Sequence, residues 1–164
     1  MNKNLILRLV TLILLIVNMS FIFGFSSEKA SASTKTSKKV TEAILEITVS
    51  DFREKPRSEQ KKLISKTDSI VRTLAHFLEY TLLGFLFALH FSFYNLKTIK
   101  KAFLAVAGCL IYAITDEIHQ IYVPGRSFQF SDLLVDTSGG VLGAMVLLIF
   151  ALIIKKCIKK TAVS

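Results

Sequence analysis

The chain has 164 residues, 21 Lys and Arg against 12 Asp and Glu, a net charge of +9, and 52% hydrophobic residues. That length suits one modest domain, and two cysteines exclude a disulfide framework. The basic excess does not indicate nucleic acid, because the lysines and arginines sit at the flanks of apolar blocks and in one mixed-charge segment.

The apolar residues come in runs near twenty long, and a helix rising about 1.5 Å per residue needs roughly 20 residues to cross ~30 Å of hydrocarbon. Four such runs occur, at 5–25, 74–93, 102–121 and 133–154. The expected fold class is all-α, a polytopic membrane helical bundle with about four transmembrane helices, occupying 1–164 as a single domain.

The first run has a basic start and is followed by Ala30-Ser31-Ala32, features shared with a cleaved signal peptide. Residues 9–25 form 17 apolar or weakly polar positions in a row, long for a signal core, and favour a retained helix. Residues 26–73 carry 11 Lys/Arg and 7 Asp/Glu and open with the low-complexity SSEKASASTKTSKK, which reads as a flexible polar linker. Val40, Ala43, Ile44 and Ile47 then follow helical spacing, which predicts an amphipathic helix lying on the membrane. Pro56 breaks the segment before the second run.

The second run ends near Lys97, Lys100 and Lys101, and the fourth is followed by a basic tail over 155–164 with Lys155, Lys156, Lys159 and Lys160. The connection between the third and fourth runs has only Arg126 over 115–131. The positive-inside rule therefore predicts cytoplasmic termini in a bacterial cell membrane, with the 115–131 connection outside. Cys109 and Cys157 read as ordinary helix residues, with acylation of Cys157 as the alternative. His90 reads as an interfacial side chain near the inner end of the second run. Ser58 and Lys61 have the spacing of a Ser–Lys pair without its companion motifs.

Three of the runs are too short once their charges are set aside. Residues 80–93, 102–114 and 141–154 are 14, 13 and 14 long, so completing each span draws polar residues in. The second gains His76 and Glu79, the third Asp116, Glu117, His119 and Gln120, and the fourth Asp136 and nearly Asp132. Antiparallel threading brings all three deficient ends to one side, making residues 74–154 a three-helix core with an outer polar cluster. His76, Glu79 and Tyr80 share a helix face, as do Asp116, His119 and Gln120, and also Asp132 and Asp136. A carboxylate at mid-membrane costs about 2.5–3.5 kcal/mol, less near the interface, so such a cluster must be solvated, paired or bound to a cation. A substrate- or ion-binding pocket is one reading, and a charge network pinning helix ends, with Arg72 and Arg126 as counter-ions, is the other. Pro124-Gly125 reads as a turn that folds Arg126 over the carboxylates or onto an anion. Gly139, Gly140 and Gly143 read as helix-packing positions, Gly139 and Gly143 forming a small-xxx-small pair.

Arg72-Thr-Leu-Ala-His76-Phe-Leu-Glu79-Tyr80, then Asp116-Glu117-Ile-His119-Gln120, Pro124-Gly125-Arg126 and Asp132-x-x-x-Asp136-x-x-Gly139-x-x-x-Gly143, resemble the VanZ-like family. Phe23-Gly24-Phe25-Ser26-Ser27 is also similar to that family's first helix. Asp136 departs from the pattern, where Asn is more usual. The resemblance implies a bacterial envelope membrane protein and a link to resistance against the lipid-bearing glycopeptide teicoplanin. It implies no reaction.

Three functions follow as expectations. The first is binding or remodelling of an outer-leaflet amphiphile through Arg72, His76, Glu79, Tyr80, Asp116, Glu117, His119, Gln120, Arg126, Asp132 and Asp136, which lowers lipoglycopeptide susceptibility. The second is an intramembrane enzyme on a lipid-linked envelope substrate, with Glu117 or Asp116 as base and His76 as proton shuttle. No cofactor motif is present, although mainly oxygen ligands would suit Mg²⁺ or Mn²⁺. The third is a structural or partner-binding role. The expected partner is a membrane lipid or lipid-linked envelope molecule, with a lipoglycopeptide link and no nucleic acid.

Overall fold

The computed structural model describes residues 2–161, with side chains for residues 2–158. Residues 162–164 of the basic tail, and the side chains of Lys159 and Lys160, lie outside the described residues. The chain forms α1 (Lys3–Ser26), α2 (Ala30–Thr48), a 3-10 turn (Phe52–Glu54), α3 (Arg57–Ser92), α4 (Thr98–Gln120) and α5 (Phe130–Thr161). All of these except α2 and the short turn are long and apolar enough to cross a membrane. Ile13, Phe21, Leu78, Ile111 and Leu152 are among the many large apolar side chains on the outside of the bundle, the arrangement expected where lipid is the solvent.

Helix α3 is the spine and packs on each of the other four helices. It begins behind Pro56 rather than at residue 74, and its 36 residues run without interruption. At 1.5 Å per residue it is about 54 Å long, far more than the hydrocarbon needs. Pro56 sets the start, since a proline has no N–H to leave unpaired at a helix N-terminus.

The low-complexity stretch is not a linker. Residues 30–48 form helix α2, which packs along the first half of α3. Thr41 Oγ1 donates to Asp68 Oδ1 at 3.3 Å, and Gln60 Nε2 donates to the carbonyls of Arg53 (3.2 Å) and Lys55 (2.8 Å). Arg53 and Glu46 close the tip with paired hydrogen bonds of 3.0 and 2.9 Å. Helix α2 and the start of α3 thus form a hairpin. Its buried face is Thr41 and Leu45, whereas Val40, Ile44 and Ile47 are exposed, Ile47 by 87%. The expected apolar face therefore points away from the protein.

Inside the bundle, Leu15 and Ile22 of α1 pack with Tyr80, Leu83 and Leu86 of α3 and Cys109 and Ala113 of α4. Helix α5 joins them through its glycines. A Cβ at Gly143 would collide with the Thr81 carbonyl of α3, and one at Gly139 with the Phe77 carbonyl. Backbone lies directly on backbone there, which only small residues permit. Gly84 and Gly140 meet in the same way one turn on.

At the end of α3, Arg8 donates from Nε and Nη2 to the Phe93 carbonyl at 3.1 and 2.8 Å and lies 4.1 Å over the Tyr94 ring. His90 is not a free interfacial side chain: its Nδ1 lies 2.9 Å from Thr11 Oγ1 and its Nε2 3.2 Å from Tyr94 Oη. These contacts fasten α1 to α3 at the end remote from the polar cluster.

Candidate functional site

The polar end of the bundle is assembled from the C-termini of α1 and α4, the N-terminus of α5 and the interior of α3. Ser26, the last residue of α1, donates from Oγ to Asp116 Oδ2 at 2.8 Å, and Gln120 Nε2 donates to the same oxygen at 3.4 Å. Glu117 Oε2 accepts the Gln129 N–H at 2.7 Å. That bond places a carboxylate at the N-terminus of α5, where orphan N–H groups and the helix dipole favour negative charge.

Between α4 and α5, Gly125 has φ +81°, a left-handed conformation that glycine adopts without strain. The turn sends Arg126 back towards α1, where Nε donates to Glu28 O at 3.1 Å and Nη2 to Phe25 O at 3.2 Å. Arg126 therefore caps the carbonyl end of α1 and does not lie across the carboxylates. Burial, with Arg72 nearby, lowers its pKa from the usual guanidinium value, although a guanidinium keeps its charge at any physiological pH.

A cavity of about 370 Å³ opens beside this turn. Asp68, Arg72 and His76 of α3 line it on one side, with Gln120, Arg126 and Asp132 opposite. Arg72 forms no hydrogen bond or ion pair among the described residues, and Arg126 keeps Nη1 uncommitted. Ser65, Ser69 and Ser127 add hydroxyls to the wall. A volume of this size is within the range of small-ligand sites, roughly 300–1,000 Å³.

The sequence-predicted cluster divides in the structure. Arg72, His76, Gln120, Arg126 and Asp132 face the cavity. Tyr80, Asp116, Glu117 and Asp136 are buried and do not line it, with Tyr80 and Glu117 fully enclosed. Tyr80 Oη, Asp116 Oδ1, Glu117 Oε1 and Asp136 Oδ1 have no hydrogen-bond partner among the described residues, and neither has His76 Nδ1. His76 Nδ1 lies 3.9 Å from Glu79 Oε2, within reach of the charge but too far for a hydrogen bond. His119 belongs to neither group: its ring lies 4.4 Å from that of Phe23, and Nε2 is 3.1 Å from Ser27 Oγ.

Sequence reasoning missed Asp68, Ser26 and Gln129. Asp68 precedes Arg72 by one helical turn, a signal that was legible had α3 been read as starting before residue 74. Ser26 and Gln129 act through partners 90 and 12 residues away, which no local pattern marks. Among the described residues, no three or more His, Cys, Asp or Glu side chains are grouped as a metal-ion site.

Comparison with curated proteins and with solved structures gives no match. The family model described as VanZ/LLP1 matches residues 11–151, from inside α1 to inside α5, and so takes in the whole cavity and the buried carboxylates beside it. The chain belongs to the VanZ/LLP1 family.

Proposed function

We propose that this protein binds the polar head of an outer-leaflet amphiphile, a membrane lipid or lipid-linked envelope molecule, and thereby lowers susceptibility to teicoplanin and related lipoglycopeptides. The observation that carries the reading is the cavity, a polar chamber at the end of an apolar-surfaced bundle with a guanidinium, Arg72, that no other described residue pairs. Arg, with five N–H donors in a fixed fork, is suited to phosphate and carboxylate groups. Lys97, Lys100 and Lys101, then Lys155 and Lys156, flank the opposite helix ends. By the positive-inside rule the cavity then faces outward in the cell membrane with both termini in the cytoplasm. The antibiotic link comes from the family's named association.

The test is a deletion strain complemented with wild type, Arg72→Gln or Asp132→Asn, with membrane abundance quantified. Variants present at normal abundance that fail to restore teicoplanin tolerance support the reading. Variants that protect like wild type overturn it.

A second reading, an acid–base enzyme on a lipid-linked substrate, draws on His76. It stands in the cavity wall with Nδ1 unbonded, 3.9 Å from a carboxylate, a workable start for a proton shuttle. Turnover of a lipid-linked envelope substrate by the purified protein, lost in His76→Gln, would favour it.

A further inference from the structure

The cavity presents charges of both signs without pairing them. Arg72 and Arg126 share its walls with Asp68 and Asp132. The ion pairs among the described residues are Arg53–Glu46, Lys55–Glu59 and His76–Glu79, so none joins Arg72 or Arg126 to Asp68 or Asp132. Local bonds explain the separation. Arg126 is tied to the carbonyls of Phe25 and Glu28, and Asp68 to Thr41. Asp132 sits in the first turn of α5, its N–H on the Gln129 carbonyl and Oδ1 accepting from Ser131 Oγ at 3.3 Å. A ligand with negative charge alone would sit beside two carboxylates, and one with positive charge alone beside two guanidiniums. A ligand carrying both charges satisfies every wall.

The walls also specify the cation. No Phe, Tyr or Trp lines the cavity, whereas quaternary ammonium groups are recognised by aromatic faces. A carboxylate with free lone pairs, as at Asp132, instead suits an ammonium that has N–H bonds to donate. For the anion, the unpaired fork of Arg72 and the free Nη1 of Arg126 suit the oxygens of a phosphate, with Ser65, Ser69 and Ser127 as neutral donors.

We propose that the cavity takes a zwitterionic head made of a phosphate ester and a primary ammonium, the phosphate on Arg72 and Arg126 and the ammonium on Asp132. The proposal rests on the amphiphile reading above and narrows it to a chemical class. A chamber of about 370 Å³ accommodates such a head but not two acyl chains as well, so the chains of a lipid ligand would remain in the bilayer.

The test uses the full-length protein purified in detergent and a fluorescent phosphatidylethanolamine displaced by lipids of identical acyl chains with ethanolamine, glycerol or choline phosphate heads. The expected result is that ethanolamine displaces about tenfold better than either of the others, the worth of one charge-assisted contact. In Asp132→Asn the ethanolamine advantage over glycerol falls to about twofold or less, and in Arg72→Gln both bind more weakly, with thermal unfolding recorded for each variant. Glycerol phosphate binding as well as ethanolamine in the wild type would mark a plain anion site and overturn the proposal. Choline binding as well as ethanolamine would overturn it also. These wild-type rankings decide the matter even if a variant fails to fold. Displacement by free phosphoethanolamine assigns recognition to the head alone, and its failure with the lipid preference intact assigns the source to a membrane lipid. If no ethanolamine preference exists but Arg72→Gln still abolishes teicoplanin tolerance, this inference falls and the broader reading stands; if both are absent, both fall.

Discussion

Ser26 and Asp116, ninety residues apart in the chain, share a buried 2.8 Å hydrogen bond that ties the end of α1 to the last turn of α4. Among the described residues only one other donor, Gln120 at 3.4 Å, reaches that carboxylate oxygen, and the second oxygen has none. Polar contacts inside membrane bundles average about 0.6 kcal/mol, with a maximum near 1.7, while hydrogen bonds to charged groups in general contribute about 1.5–3 kcal/mol. Enclosure of both groups and the scarcity of alternatives place this bond near the overlap. Ser26→Ala should lower unfolding free energy by about 1–2 kcal/mol in detergent, read as a fall in thermal midpoint. An unchanged midpoint would mean that α1 is held by its apolar face alone.

The glycines of α5 make a contrast that a single substitution can read. A Cβ at Gly143 would run into the Thr81 carbonyl, a backbone atom that cannot swing aside, whereas one at Gly24 of α1 meets nothing within 4 Å. Gly143→Ala should cost about 1–3 kcal/mol by forcing α5 away from α3. Gly24→Ala should be neutral, or stabilising by a few tenths up to about 1 kcal/mol through helix propensity. Membrane abundance and thermal unfolding of the two variants measure this directly, and equal effects would contradict the close approach.

Arg126 holds α1 in place as well as facing the cavity. Its two bonds to Phe25 O and Glu28 O require a planar fork with separated donors, which a lysine ammonium cannot reproduce. Arg126→Lys should therefore keep the local charge yet loosen the connection between α1 and α2. Hydrogen–deuterium exchange over residues 25–30 should rise several-fold in the variant while the middle of α3 stays protected. Unchanged exchange over those residues would show that the cap does not restrain them.

The bundle was legible because membrane spans announce themselves by length, and three of the four runs fell short at the ends where polar residues follow. The hairpin was not. Ser33, Ser37, Thr41 and Leu45 recur every four residues and turn towards the protein as half-buried or buried positions, but three of the four are hydroxylic, and a search for apolar periodicity selects Val40, Ile44 and Ile47 instead. Those residues form the exposed face of α2, so the face that packs on α3 went unread. The split of the site was equally hidden. Helical spacing groups Asp116 with His119 and Gln120, yet which of them faces the cavity depends on where α1 packs. Phe23 and Ser27 draw His119 away, and Ser26 engages Asp116. Long-range contacts of this kind leave no trace in spacing.

The hairpin itself gives the last expectation. Thr41 Oγ1 and Asp68 Oδ1 are 3.3 Å apart across the α2–α3 interface, and both side chains are buried. If α2 runs along α3 as the structure has it, Thr41→Cys with Asp68→Cys, in a chain carrying Cys157→Ser, should close a disulfide in most molecules under mild oxidation. A disulfide needs Cβ atoms about 3.5–4.5 Å apart, so the cross-link forms only if α2 packs closely on α3 at the Thr41–Asp68 contact. Ile47→Cys, at a position 87% exposed, should meanwhile react with a water-soluble maleimide. A helix lying flat on the bilayer would give the opposite pair of results: no cross-link between positions 41 and 68, and an Ile47→Cys thiol shielded by lipid headgroups.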